Sequence, residues 1–216
     1  MIKPRLAVAL LIVVATLALP GSSRAQLLDS YGMKVGAVSA SATDNLDDFD
    51  RRTGLTASVF AEKRLLPFLS LIGEVGYVQR GFIETQIERT ATNEVVGTVE
   101  ANTQLDYLTI PVMAKLEYGL APATLYALAG PRLDILLSRD AGTFEFSSGT
   151  FESQVADAYG SPAVGGTVGV GITTTNLLPA RLLLGGRYEL DFTDSFVEGP
   201  RETRNTAFTV VVGVAF

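Results

Sequence analysis

The feature that most constrains the fold of this chain is an alternation of side-chain character with a period of two residues. It is clearest in residues 204–216, where one face carries only large apolar side chains: Phe208, Val210, Val212, Val214 and Phe216. The opposite face is mostly small: Ala207, Thr209, Val211, Gly213 and Ala215. Because successive side chains of a β-strand point to opposite faces, this pattern predicts a strand with one wholly apolar face.

Seven further segments carry the same alternation. The alternation is strong in residues 69–81, 107–118, 123–137 and 182–192 and weaker in residues 31–40, 53–62 and 163–173. A tilted strand needs about ten residues to cross a membrane, and these segments have that length. The eight segments predict an all-β fold, namely an eight-stranded antiparallel up-and-down transmembrane β-barrel.

The connections between these segments alternate in length. Residues 41–52, 82–104, 138–162 and 193–204 are long and polar, whereas the short connections, 63–68, 119–122 and 174–180, each contain a proline. Long loops at one end and tight turns at the other are typical of outer-membrane barrels. Soluble barrels alternate too, but the apolar faces here total too much surface for water. We therefore expect an integral outer-membrane protein whose long loops face outward.

The N-terminus carries the parts of a secretory signal peptide. Lys3 and Arg5 precede an apolar run at residues 6–19, and Ser23 and Ala25 place small residues before a cleavage point. The alternative is a membrane-anchoring helix, but the run is short for a bilayer. We predict a cleaved signal peptide at residues 1–25 and a barrel domain at residues 26–216. Gln26 follows the cut instead of a cysteine, so no lipoprotein anchor is expected.

Composition excludes several function classes. The chain has no His and no Cys, and its formal net charge is −6. It therefore offers no His base, no thiolate and no Cys or His metal site, and its acidity disfavours nucleic-acid binding. We expect no enzyme and no cofactor.

Two local patterns could still mark ligand sites. The segment at residues 166–171 has the order G-x-x-G-x-G, the reverse of a dinucleotide fingerprint, and no phosphate-binding Lys follows it. Asp44, Asp47, Asp48 and Asp50 could bind Ca²⁺, but they lack the spacing of an EF-hand loop. Because Arg51 and Arg52 follow them, a solvated acidic loop is the favoured interpretation, and no metal site is predicted.

The face opposite the apolar one should line the barrel interior. On it we place six cations, Lys34, Arg80, Lys115, Arg132, Arg181 and Arg187, and six anions, Glu62, Glu74, Glu117, Asp134, Glu189 and Asp191. Charges in a low dielectric need partners, so a balanced set predicts a cross-linked polar plug. The alternative, a selective pore, would more typically show a ring of one sign. Pro111 and Pro131 fall within predicted strands and are each expected to mark a bulge or a strand end.

Four stretches together resemble the PorT-like outer-membrane β-barrel family of Gram-negative bacteria, common in the Bacteroidetes. They are residues 70–77 with Gly81, residues 107–112, residues 125–131, and the last hairpin with Arg187-Tyr188, Arg204-Asn205 and residues 213–216. The resemblance covers essentially all of residues 27–216. It implies an eight-stranded outer-membrane barrel and little about activity, although one lineage is associated with protein secretion.

Three functional hypotheses follow. The first is a structural or surface-interaction protein that uses loops 82–104 and 138–162 as its contact surface. The second is an accessory barrel of a secretion or envelope-assembly machine with an envelope protein as partner. The third is a narrow porin-like transporter. In each, the barrel contacts outer-membrane lipid, and the apolar row from Phe208 to Phe216 resembles the C-terminal signal for the barrel-insertion machinery.

Overall fold

The computed structural model describes residues 28–43, 50–89, 93–146, 149–152, 162–174, 180–192 and 204–216. These residues form ten strands: β1 Ser30–Thr43, β2 Asp50–Leu66, β3 Leu69–Arg89, β4 Val95–Leu120, β5 Ala123–Asp140, β6 Thr143–Phe146, β7 Gly149–Glu152, β8 Ala163–Thr174, β9 Arg181–Asp191 and β10 Arg204–Ala215. The predicted signal peptide, residues 1–25, lies outside the described residues.

Eight of the strands close into one barrel, in the order β1-β10-β9-β8-β5-β4-β3-β2. Every neighbouring pair is antiparallel, and β1 pairs with β10 to complete the ring. The predicted eight-stranded antiparallel up-and-down barrel is therefore confirmed. Strands β6 and β7 form a separate two-stranded hairpin in the connection between β5 and β8.

The registers fix the tilt of the barrel strands. We follow the paired residues once around the barrel, stepping from each residue to its partner on the next strand. Starting at Thr173 on β8, this path returns to β8 at Ala163, ten residues away along the strand. It passes through Leu183, Gly213, Lys34, Ser58, Gly76, Thr109 and Asp134. A displacement of this size over eight strands corresponds to a tilt of about 40° from the barrel axis, and it leaves an interior that side chains can fill.

The barrel is apolar outside and mostly polar inside. On β10 and at Phe216, which follows it, one face is apolar. Phe208, Val210, Val212 and Phe216 are between 45% and 51% exposed, and Val214 is half-buried. At a tilt near 40°, the eight residues from Phe208 to Phe216 rise about 20 Å along the membrane normal. This row is therefore somewhat shorter than the apolar band of about 25 Å that outer-membrane barrels present to lipid. Within the described residues, no helix has the length and apolar character needed to cross a membrane.

An aromatic pair joins the first and last strands at the end of the barrel that carries the short turns. We call this end the turn end. Tyr31 stacks on Phe216 with their ring centroids 5.9 Å apart. The backbones of the two residues also exchange hydrogen bonds of 3.1 and 2.8 Å. The first and last strands are thus joined where the apolar band meets the interface. The opposite end, with the long connections, is the loop end.

Two predicted loops at the loop end contain strands. Residues 82–104 were expected to form a loop, but β3 continues to Arg89 and β4 begins at Val95. The two strands stay paired from Phe82 opposite Thr103 to Glu88 opposite Gly97. The predicted loop at residues 138–162 likewise holds the β6–β7 hairpin. Beyond the membrane neither face of a strand must be apolar, so the hydrophobic alternation that marks a strand fades there.

The expectation for Pro111 and Pro131 is wrong. Both lie inside regular strands, and the registers run past them without a shift. The pairing is only interrupted next to them, between Gly73 and Gly76 on β3 and between Pro111 and Ala114 on β4. Each proline removes one ladder hydrogen bond on one side of its strand, and the closed ring keeps the register.

One packing contact in the interior is open to a direct test. The Tyr126 side chain lies over Gly171 and Gly185, and a Cβ on Gly185 would collide with the Tyr126 hydroxyl. We predict that Gly185→Ala lowers the free energy of unfolding by about 1–3 kcal/mol because it overpacks the lumen. Unfolding in urea, followed by circular dichroism in lipid vesicles, measures this.

The control is Gly73→Ala, since a Cβ on Gly73 meets no atom within 4 Å. Adding Tyr126→Phe to Gly185→Ala should restore most of the lost stability, because the next contacts of that Cβ lie at 3.4 Å and 3.5 Å. Equal destabilisation by Gly73→Ala, or no rescue by Tyr126→Phe, would contradict the packing described here.

Candidate functional site

All twelve charged side chains assigned to the lumen face the barrel interior. Ten of them are buried, whereas Glu117 and Arg181 are partly exposed at the turn end. The structure brings them together in three layers along the barrel axis, which we name the loop-end, middle and turn-end layers. The period-two alternation assigns these charges to one face, and the structure adds how they pair.

The middle layer is built around Glu74 of β3. Arg187 of β9 donates two hydrogen bonds of 2.7 Å to its two carboxylate oxygens. Lys34 of β1 donates a third bond to Glu74. Because the carboxylate is almost fully buried, two cations from two other strands share one anion deep in the barrel. An ion pair in such a place is stable only when its remaining hydrogen-bonding groups are also satisfied.

The loop-end layer joins two arginines to three carboxylates. Arg80 donates bonds of 2.6 Å both to Asp134 and to Glu189. Arg132 donates a bond of 2.7 Å to Asp134 and another to Asp191. These side chains come from β3, β5 and β9, so the network crosses the lumen.

The turn-end layer centres on Lys115 of β4. Its ammonium group lies 3.0 Å from Glu62 and 2.7 Å from Glu117. Arg181 donates a 2.7 Å hydrogen bond to the Ser30 hydroxyl nearby. The middle layer holds one more cation than anions and the loop-end layer one more anion than cations, so the charges balance only over the three layers together.

Asp29 lies just outside the membrane-spanning part at the turn end. Its carboxylate accepts a 2.8 Å hydrogen bond from the Arg64 backbone N–H and lies 3.2 Å from the Lys63 ammonium group. The backbone hydrogen bond is the main cause that holds the pKa of this carboxyl below its usual value. A lowered pKa means that the contact contributes to stability above the usual Asp pKa and is lost as the pH falls through the lowered one.

Apolar clusters fill the space between the ionic layers. Phe60, Ile72, Met113, Tyr126, Leu128 and Ala215 form one cluster on the turn side, and Val38, Ala40, Val78, Phe82, Leu105, Tyr107 and Ala207 form another near the loop end. Their aromatic rings also contact the cations. The Lys34 ammonium lies 4.3 Å from the Phe60 ring centroid, and Lys115 lies 5.3 Å from that of Tyr126.

Sequence reasoning missed two of these core aromatics. Phe60 shares the inward face assigned to Glu62 but is not singled out as a core residue, and Phe82 lies in a predicted loop. Phe82 is two residues beyond Arg80, so continuing the inward parity of β3 would have placed it in the lumen. The inward parity of Glu62 and of Arg80 is the signal that locates both.

The loop end presents a different surface. The paired extensions of β3 and β4, residues 82–89 and 95–103, form what we call the outer hairpin. Its outer part exposes Ile87, Val95 and Val96, each between 55% and 60% accessible. The β6–β7 hairpin contacts its base, where the Gly142 N–H donates a 3.2 Å hydrogen bond to the Thr103 hydroxyl. Phe144 of β6 is buried there.

Two further candidate sites came from the sequence, the acidic loop and the glycine-rich segment. Neither forms a ligand site among the described residues. Asp44, Asp47 and Asp48 of the acidic loop lie outside the described residues. Among the residues that are described, no group of three or more His, Cys, Asp or Glu side chains could hold a metal ion. The glycines at residues 166–171 are part of the β8 strand.

The middle layer generates a stability prediction. Glu74→Gln leaves Lys34 and Arg187 buried without their carboxylate, so we expect the free energy of unfolding to fall by about 3–5 kcal/mol. The urea midpoint of the folded band, which differs in gel mobility from the heated one, measures this. Glu100→Gln on the exposed outer hairpin is the matched control. Equal midpoints for the Glu74 variant and the native protein would contradict the role given to this layer.

Three solved outer-membrane structures are similar to the chain. Neisserial surface protein A is 16% identical, with 86% of this chain and 97% of that chain covered and a TM-score of 0.47. The attachment invasion locus protein Ail of Yersinia pestis is 12% identical, with coverages of 87% and 98% and a TM-score of 0.43. The outer membrane protease OmpT from Escherichia coli is 9% identical, with coverages of 87% and 95% and a TM-score of 0.48. At these values none of them assigns a function to this chain.

Comparison with curated protein sequences gives no match. The family described as outer membrane protein beta-barrel domain matches residues 25–197, which include every barrel strand except β10. The chain belongs to this outer-membrane β-barrel family.

Proposed function

We propose that this protein is a structural and surface-interaction component of the outer membrane. In this proposal the barrel is an inert anchor with a filled lumen, and the outer hairpin is the contact surface. The observation that carries the proposal is the contrast between the two regions. The interior pairs its buried charges in three layers, whereas the loop end presents an exposed apolar tip.

The interior supports an anchor more than a pore. A selective pore needs a continuous polar path and typically a ring of one charge sign. Here each layer contains both signs, and aromatic and aliphatic side chains separate the layers. Eight-stranded barrels have little interior space to spare. The narrow porin-like alternative is accordingly the less favoured one.

The outer hairpin supports an interaction role. β3 continues for twelve residues beyond Tyr77, which ends the outward apolar row Leu71, Val75 and Tyr77 and is followed on that face by the polar Gln79, so that it marks the upper edge of the apolar band. At the strand tilt of this barrel, that length rises about 30 Å above the hydrocarbon layer. Exposed apolar side chains at such a tip are costly in water unless they serve binding. Glu84, Glu88 and Glu100 belong to the same hairpin, and Glu94 directly precedes its second strand.

The resemblance to the PorT-like family suggests a more specific partner. An accessory barrel of a secretion or envelope-assembly machine would use the same exposed surface or the turns to dock an envelope protein. We keep this as the alternative, and a stoichiometric partner captured at one of these surfaces would favour it.

We propose that export and insertion follow the usual route for such barrels. The predicted signal peptide, residues 1–25, directs export, and the outward row Phe208, Val210, Val212, Val214 and Phe216 on β10 contacts the insertion machinery and then lipid. A mature chain that begins at Gln26 in the outer-membrane fraction is the expected result, and N-terminal sequencing checks it. An intact Met1 on the membrane-bound protein would contradict this.

Site-specific cross-linking tests the interaction role. A photo-crosslinking amino acid at Ile87 should capture a protein partner in intact cells, because this tip is 55% exposed outside the membrane. The same group at Val170, which is 65% exposed on the apolar wall, is the control and should capture lipid only. Equal protein capture at both positions, or none at Ile87 in cells that display the folded barrel, would contradict the proposal.

Conductance tests the competing pore function. The pure protein in a planar bilayer should give no stable unit steps. Glu74→Gln, which disrupts the middle layer, is the comparison. If the lumen is filled, conductance should appear only in this variant, where the packing of the lumen is disturbed. Regular unit conductance from the native protein would overturn the anchor proposal in favour of the transporter.

A further inference from the structure

A built cationic site lies on the outside of the barrel wall, just above the apolar band. Its central residue is Arg52 of β2. In an unbroken strand Arg52 would share the inward face of Ser58, since the two positions differ by an even number of residues. Between Arg51 and Thr56, however, the β2–β3 register shifts, with four residues on β2 opposite three on β3. This bulge turns Arg52 outward, which is a common use of bulges.

A glycine opens the path that Arg52 takes across β3. Gly81 has a φ of +142°, a conformation that side chains rarely adopt. A Cβ at this position would lie 3.0 Å from the Arg52 Cδ. Arg52 therefore crosses over Gly81 to reach β4. Two departures from regular strand geometry, the bulge and the glycine, together place one arginine.

The guanidinium group is held by neutral oxygen atoms. Its Nε donates a 2.7 Å hydrogen bond to the Asn102 side-chain oxygen, and one terminal nitrogen donates a 2.6 Å bond to that of Gln104. The other terminal nitrogen lies 3.4 Å from the Arg80 backbone carbonyl. No carboxylate of the described residues forms an ion pair with Arg52. Its positive charge is therefore oriented but not neutralised there.

One of these partners, Gln104, is held in turn by Asp106, and a second polar pair lies nearby on β3. The Gln104 amide donates a 2.9 Å hydrogen bond to Asp106, and the Gln79 amide donates a 3.1 Å bond to the Tyr77 hydroxyl. Asn102, Gln104 and Asp106 share the outward face of β4 with the lipid-facing Val112. The site is thus part of the outer wall and not of the lumen.

The depth of the site decides what it faces. Tyr77 lies near the top of the apolar band, and Gly81 follows four residues later on β3. At a tilt near 40°, Gly81 is about 10 Å further from the membrane centre than Tyr77. The headgroup layer on each side of the hydrocarbon is about 5–7 Å thick, so Gly81 lies at the outer edge of this layer. An outward side chain at this level faces lipid headgroups.

We infer that Arg52 binds a phosphate group of an outer-leaflet lipid headgroup. Arginine suits this task because its planar fork presents several donors to phosphate oxygens and its charge persists at any physiological pH. The amide oxygens of Asn102 and Gln104 hold the fork without cancelling its charge. This inference requires only the outer-membrane location and is independent of the role of the outer hairpin.

Lipid titration of refolded protein tests the inference. The probe is lipid A with both phosphates, added to the barrel in phosphate-free detergent, and binding is measured by native mass spectrometry. We expect Arg52→Gln to weaken lipid A binding at least tenfold. The matched control is Arg51→Gln, since Arg51 pairs with Phe82 on the opposite face of the same strand. Heat-shifted gel mobility shows that each variant is folded.

Three further measurements show whether Arg52 recognises the phosphate of a lipid. Dephosphorylated lipid A should bind to the native protein as weakly as lipid A binds to Arg52→Gln. Inorganic phosphate at the same concentration should not compete, because a lipid anchored in the leaflet is the proposed source. Arg52→Lys should bind with intermediate affinity, since it keeps the charge and loses the fork. Unchanged lipid A binding by a folded Arg52→Gln, equal binding of dephosphorylated lipid A, or full competition by inorganic phosphate would each overturn the inference.

Discussion

The structure depends on the pairing of buried charge inside a closed wall of strands. Glu74 lies deep in the barrel, and two cations from β1 and β9 converge on its carboxylate. Each of these strands must hold a fixed height for the three groups to meet. Because a one-residue slip would turn a strand's charges into lipid, the ionic layers and the apolar wall specify the same register. A shifted register would therefore be disfavoured for two reasons: it would break ion pairs in the lumen, and it would expose charged side chains to lipid.

The membrane-spanning part could be predicted from sequence because the bilayer and the lumen impose opposite demands on alternate residues. In β9, Arg187, Glu189 and Asp191 alternate with Tyr188 and Leu190, and no other arrangement solvates both sets. The same reasoning fails beyond the membrane, where the outer hairpin is solvated on both faces. It also fails for Pro111. The missing backbone N–H of proline predicts a bulge or a strand end, but the closed ring of strands keeps the register regular at this position.

The pairing itself could not be predicted. Alternation places Arg80, Arg132 and Asp134 on the inner face, but their heights depend on the shear of the barrel and on bulges. The outward site at Arg52 is the clearest case. Parity assigns this residue to the lumen, whereas a bulge in β2 and the conformation of Gly81 place it on the outer wall. Such features arise from contacts between strands that are distant in the sequence.

A lumen fixed in this way constrains where function can lie. Moving any inward charge would break pairs in its layer, so the interior can change little without loss of stability. Residues can change without breaking these pairs only outside the lumen and outside the lipid-facing wall. Those regions are the outer hairpin and the outward surface above the apolar band. Both regions carry features that folding alone does not require. The hairpin exposes apolar side chains to water, and the wall holds an arginine whose hydrogen-bond acceptors leave its charge in place. These features favour function at the boundary between lipid and solvent.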